Sequence, residues 1–237
     1  VIDCNWAQGL EGAIDSAHSS SLHSTDMPAA RVNSSTATGT AWQRPSTDKS
    51  PRLQAQETDY GFRYAAIRDT ANEAEVYVRI TPHVMPCSSY PPGSYGQNRI
   101  WNAWVPRDDD STWVILLKWN PNNRPVDMDA DFELKACRNL IPGTWRAHYN
   151  KDNDYLIDRD AQKTRNLSGM EGIVTEDHAM NESQGPVMDR TRERLSHIDV
   201  AVIAMRRLLL RSADAAVAGA DPAIFSCAAL DKIQSER

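Results

Sequence analysis

Asp15, His18 and His23 are the residues whose types and spacing carry the most chemistry in this chain. Two imidazoles and a carboxylate within nine residues provide the donors of a divalent metal site, one carboxylate being left to orient a ring from behind. They lie in NWAQGLEGAIDSAHSSSLH, Asn5 to His23, which reads as a helix over residues 7 to 24. Asp15 and His18, three apart, share a helix face. His18 and His23, five apart, stand roughly 140° round an ideal helix of about 3.6 residues per turn. Both rings meet one ion only if the helix bends or widens, and such distortions tend to sit at functional sites. The plain alternative is a pair of solvent-facing histidines on a Ser-rich helix.

A site built on two histidines needs a third donor and a scaffold. The carboxylates open to it are Asp15 itself and, far along the chain, Glu176, Asp177 and Glu182. His178 is next to Asp177, but adjacent helical residues point about 100° apart, so the two do not share an ion. His83, in ITPHVMP, either lines a pocket or is a core histidine with a backbone partner; His148 and His197 lie in polar contexts.

The positioning elements follow from periodicity. GFRYAAIRD and AEVYVRITPHVM alternate apolar and polar residues around a turn at Thr70 to Asn72, and NRIWNAWVP and STWVILLKWN do the same across Arg107 to Asp110. Four strands in two antiparallel hairpins are expected. Ser24 to Lys49 reads as a long loop, a lid or entry channel. A helix is expected near Asp129 to Cys137, a solvated loop at YNKDNDYLIDRDAQKTRN, a helix over Met170 to Gln184, and an apolar helix over Arg190 to Arg211 that must pack on the sheet. The tail from Ser212 is Ala-rich with a break at Pro222. This order gives an α+β fold.

Composition bounds the rest. The 237 residues, 41% hydrophobic and 24% charged, suffice for one sizeable core or two small ones. A net charge of -6 disfavours nucleic acid. The longest apolar run, Val200 to Met205, ends at two arginines, so no membrane span or secretion signal is read. Four scattered cysteines fit reduced thiols and a cytoplasmic protein.

Asn5, Gln8, Glu11, Gly12, Asp15, His18, Leu22 and His23, with the spacing D-x-x-H-x-x-x-x-H, resemble the mononuclear iron segment of the Rieske non-haem iron oxygenases. GIVTEDHAMNESQGPVMDRTRERL resembles the phthalate 4,5-dioxygenase branch of that family, with its Q/E-D pair, E-S and G-P. The resemblance implies a helix-grip (START/Bet v 1-like) antiparallel sheet covered by helices, and Fe(II) held by His18, His23 and Asp177. It implies that Asp15 bridges His18 to a Rieske [2Fe-2S] cluster on a neighbouring subunit of a homotrimer or a hexamer of trimers. Electrons would come from NAD(P)H through an FMN- or ferredoxin-type reductase. The substrates would be O2 and an aromatic carboxylate of the phthalate, halobenzoate, phenoxybenzoate or methoxybenzoate kind, hydroxylated or O-demethylated. Ser19 matches a serine of phthalate-type members; Arg52 and His83 are further candidates for the substrate. No arginine occurs within ITPHVMP, where one is expected for phthalate itself.

No cysteine is followed by histidine as C-x-H or C-x-x-H, which a Rieske centre requires. The expectation is therefore that residues 1-237 form the catalytic domain alone, the Rieske domain lying outside this chain. Two other classes compete: a hydrophobic-ligand carrier of the same fold, for which His18, His23 and Asp177 are dispensable, and a zinc hydrolase with Glu176 as general base.

Overall fold

The computed structural model describes residues 1–23, 48–92, 98–126 and 139–220, with 233 and 235. Residues 24–47 of the loop expected over Ser24 to Lys49, and the helix expected at 129–137, lie outside the described residues. Six strands form one antiparallel sheet in chain order: β1 Arg52–Thr58, β2 Gly61–Asp69, β3 Val76–Val84, β4 Ser88–Ser89, β5 Arg99–Pro106 and β6 Thr112–Trp119. The four strands read from alternation are β2, β3, β5 and β6. β1 and β4 escaped that reading for physical reasons. RLQAQET is polar on both faces and mostly exposed at the sheet edge, held by its ladder to β2, while β4 is two residues long.

Register sorts the side chains by face. Phe62, Tyr64, Ala66 and Arg68 of β2 stand opposite His83, Thr81, Arg79 and Tyr77 of β3, and this is the buried face. Helices α1 Trp6–Ile14 and α5 Val200–Val217 cover it. Leu10 and Ile14 of α1 and Ala201, Met205 and Leu208 of α5 close on Phe62, Tyr64, Ala66 and Trp104 as one apolar core. The protein thus has the expected α+β architecture, an antiparallel sheet under helices.

Between these come α2 His18–Ser21, α3 Arg159–Thr164 and α4 Ile173–Ser183. The last helix begins later than expected, at Val200 rather than Arg190. Ser196 and Asp199 form a capping box there, and residues 190–192 and 197–199 are only single 3-10 turns. The helix then runs through the Ala-rich segment to Val217, stopping before Gly219 at φ +76°.

The charged run YNKDNDYLIDRDAQKTRN departs from the expected solvated loop. It folds as two tight turns across a kink within Lys151–Leu156, where Asp154 and Tyr155 have positive φ, and as α3, and it buries Asn150, Tyr155, Ala161 and Asn166. Polarity misled because these groups are satisfied internally: Tyr155 donates its hydroxyl proton to Glu182, and Asn166 donates to the Met170 carbonyl at 3.1 Å.

Candidate metal centre

α1 starts where Asn5 accepts the Ala7 N–H at 3.0 Å and ends at Asp15, whose ψ of 112° takes the chain out of the helix. The Asp15 carboxylate then accepts the N–H of Ala17 at 2.7 Å and of His18 at 3.2 Å, restarting the chain as α2. This is the bend that the five-residue spacing demanded. It turns His18 and His23 towards each other, with ring centroids 5.2 Å apart and planes at 81°.

α4 brings the third group. Gln8 ties α1 to the end of α4, donating to Gly185 O at 3.1 Å and accepting from Met188 N at 2.8 Å, and Asp3 N donates to Glu182 at 2.7 Å. Gly12 lets the helices close: a Cβ there would stand 3.1 Å from Asn181 Oδ1. In consequence Asp177 Oδ1 sits 3.4 Å from His18 Nε2 and 3.2 Å from His23 Nε2. One donor atom from each of the three residues falls within 4.8 Å of the others. Donors each about 2.1 Å from one ion are roughly 3.0–3.4 Å apart at tetrahedral to octahedral angles. Two imidazoles and one carboxylate at this spacing fit a divalent ion of the zinc or ferrous type, with positions left over for other ligands.

The three side chains are strongly coupled electrostatically. Burial alone would raise Asp177, but His23 and His18 hold its carboxyl far below the usual carboxylate range. Burial would lower His18, but Asp15 and Asp177 push it up to about 10. His23 is raised against its burial by Asp177 and Glu176. His178, by contrast, is driven down to about 4 by burial and stands outside the cluster, as the helix geometry required.

Asp15 lies 3.5 Å from His18 Nδ1 on the side away from Asp177. Ser19 donates its hydroxyl to Ser16 O at 2.9 Å. Arg52 opens the edge strand β1, with its guanidinium in solvent against Asp69 at 2.9 Å. His83 is fully buried beside Phe62, ring centroids 5.0 Å apart, and neither ring nitrogen meets a hydrogen-bond partner among the described residues. Burial pushes it down to about 4, against a smaller upward pull from the Ser88 backbone. Because the folded value lies below the unfolded 6.5, the neutral ring's contribution is complete above pH 6.5 and is lost as pH falls towards 4. Between pH 7.5 and 5, His83→Leu should therefore lose about 2 kcal/mol less stability than wild type in urea denaturation. Equal losses would show that His83 is charged in the fold.

Two arginines were missed. Arg68 of β2 is fully buried: its Nη2 donates to Ser16 O at 2.7 Å, Ser16 Oγ at 3.3 Å and Ser20 Oγ at 3.1 Å, while Nε and Nη1 meet no hydrogen-bond partner among the described residues. Arg79 of β3 shares its face and donates to Pro92 O at 3.2 Å. Burial lowers the Arg68 pKa, and Arg79 adds to that. The signal was alternation itself, since Arg68 falls on the apolar phase of GFRYAAIRD.

A family model described as LigXa C-terminal domain like matches residues 1–233. The chain belongs to this family. Its relatives include the phthalate 4,5-dioxygenase oxygenase subunit of Pseudomonas putida, 43% identical over 92% of this chain and 51% of that one. The 3-chlorobenzoate-3,4-dioxygenase oxygenase subunit of Comamonas testosteroni is 30% identical over 88% of this chain and 50% of that one. The 5,5'-dehydrodivanillate O-demethylase oxygenase subunit of a Sphingobium strain is 27% identical over 98% and 47%. The LigXa C-terminal-like chain thus spans about half the length of the curated relatives it matches. They are the oxygenase subunits that the two sequence segments resembled. No helix among the described residues of this family member is long and apolar enough to cross a membrane.

Proposed function

We propose that residues 1–237 are the mononuclear-iron catalytic domain of a cytoplasmic oxygenase acting on an aromatic carboxylate. The observation that carries this is the meeting of His18, His23 and Asp177 from two distant segments, 3.2–3.4 Å between each imidazole and the shared carboxylate. Fe(II) held there would supply dioxygen activation, the three side chains leaving positions open for oxygen.

The residues around it divide the remaining work. Asp15 orients His18 from behind and is the carboxylate through which electrons would arrive. Arg68, hydrogen-bonded to Ser16 and Ser20 on either side of His18, is the group we assign to the substrate carboxylate, in place of exposed Arg52. A buried guanidinium with two unused donors is matched by a planar anion. His83, neutral, and Ser19 are assigned to the rest of the pocket. The relatives are named for phthalate, 3-chlorobenzoate and 5,5'-dehydrodivanillate, and from these names we take the substrate class. The Rieske [2Fe-2S] domain, the NAD(P)H-dependent reductase and a trimer that sets a cluster beside Asp15 belong to the same proposal.

The hydrolase reading is weakened by Glu176, whose two oxygens already accept from His23 and Ser168. The test is metal and acid-labile sulfide per chain after anaerobic purification, followed by calorimetric titration with benzoates and with aliphatic acids. About one iron without sulfide, and binding selective for the aromatic acids, is expected. Zinc alone, with ester hydrolysis, would overturn the oxygenase.

A further inference from the structure

We propose that Glu176 is the positioning residue of the metal centre, fixing His23 as its anchored ligand; the proposal rests on the metal reading above. Glu176 is fully buried, and its Oε2 lies 2.6 Å from His23 Nδ1. That contact assigns the ring proton to Nδ1 and leaves the Nε2 lone pair facing Asp177 Oδ1, 3.2 Å away. Because Glu176 and Asp177 are neighbours on α4 and point about 100° apart, one carboxylate stands at each end of the same imidazole, Glu176 holding its proton and Asp177 beside the nitrogen left for the ion.

A dedicated turn holds Glu176 in turn. Ser168 donates its hydroxyl proton to Glu176 Oε1 and accepts the N–H of Met170 at 3.1 Å, so both functions of that hydroxyl are used. Asn166 closes the turn, accepting from Gly169 N at 2.7 Å and donating to Met170 O at 3.1 Å. Gly169 has φ +70°, and a Cβ there would meet the Asp158 carbonyl at 2.5 Å. Residues 166–170 are thus built to present one hydroxyl to one carboxylate.

The two histidines are therefore supported unequally. His18 is backed at 3.5 Å by Asp15, whose side chain is 28% exposed, whereas His23 is backed at 2.6 Å by a carboxylate with no exposure. His23 is the ligand fixed before any ion arrives, and His18 is the one that adjusts.

The test uses the full chain, titrated anaerobically with Fe(II) and, for its visible spectrum, Co(II), with His23 ring nitrogens followed by 15N NMR in the metal-free state. Glu176→Ala should weaken metal binding about 10- to 100-fold and shift the His23 Nδ1 resonance. Glu176→Gln keeps an acceptor without the charge. It should restore the Nδ1–H tautomer, recover part of the affinity and shift the Co(II) bands, a partial rescue that loss of folding would not give. Ser168→Ala should cost a few-fold. Wild-type affinity, spectra and ring shifts in both Glu176 variants would overturn the proposal while leaving the metal reading intact. Failure of the wild-type chain to take up either ion would overturn both.

Discussion

Replacing Arg68 with methionine is expected to cost ligand affinity far more than it costs stability. Two effects oppose each other in the fold. Methionine removes a buried cation whose Nε and Nη1 are unpartnered among the described residues, and taking such a charge out of the interior is worth several kcal/mol. It also removes three hydrogen bonds to Ser16 and Ser20, each worth about 1–2 kcal/mol, and leaves the Ser16 carbonyl to the Ser19 hydroxyl. The metal-free variant should therefore denature within about 2 kcal/mol of wild type. Binding has no such cancellation. Losing one partner of a buried ion pair costs about 2–5 kcal/mol, so affinity for an aromatic carboxylate should fall by about 30- to 5000-fold. Wild type should gain thermal stability on adding the acid, and the variant should gain none. An equal gain in both would remove Arg68 from the site.

Metal content carries the second large effect. Asp177→Ala and His23→Ala should each reduce bound iron from near stoichiometric to background. A structural ion bound by four ligands contributes about 10–16 kcal/mol, so one ligand is worth roughly 2.5–4 kcal/mol, or about 70- to 900-fold in affinity. Two controls separate this from general damage. His178→Gln alters the residue next to Asp177 but outside the cluster, and Asp15→Asn keeps a side chain able to cap α2; both should retain iron. Asp15→Asn should nonetheless lose product formation in the complete oxygenase. Full iron in His23→Ala would refute the ligand assignment.

Much of this site was legible because its information is local. The interval between His18 and His23 already required a break in the helix, and the break falls at Asp15, the residue whose carboxylate makes it. What the sequence hid is information carried by pairing and burial. β1 has no alternation because it is an edge, so only its ladder to β2 identifies it. Arg68 and Arg79 lie on the buried phase of their strands, yet a charge in that phase reads as an interruption until the register sets the two on one face. Ser168, between the run taken as solvated and the helix expected from Met170, gains significance only through its contact with Glu176, which is close in space for reasons of tertiary packing. The second helix pairing was likewise invisible: Glu11 joins Arg190 at 2.6 Å and Arg206 at 2.8 Å, and Arg206 reaches Glu193 at 2.6 Å. These contacts clamp α5 and the turns before it onto α1.

Gly9 of α1 faces Trp104 of β5 so closely that an added Cβ would lie 2.4 Å from the indole Cδ1. The height of α1 above the sheet is thus set by the absence of a single carbon. Both histidines hang from the far end of that helix, like weights on a beam whose bearing is the tryptophan. The dimensions of the metal centre are consequently inherited from a contact in the hydrophobic core. Natural or laboratory selection can retune the spacing of the candidate site by resizing that bearing, at Gly9 or at Trp104, without altering His18, His23 or Asp177.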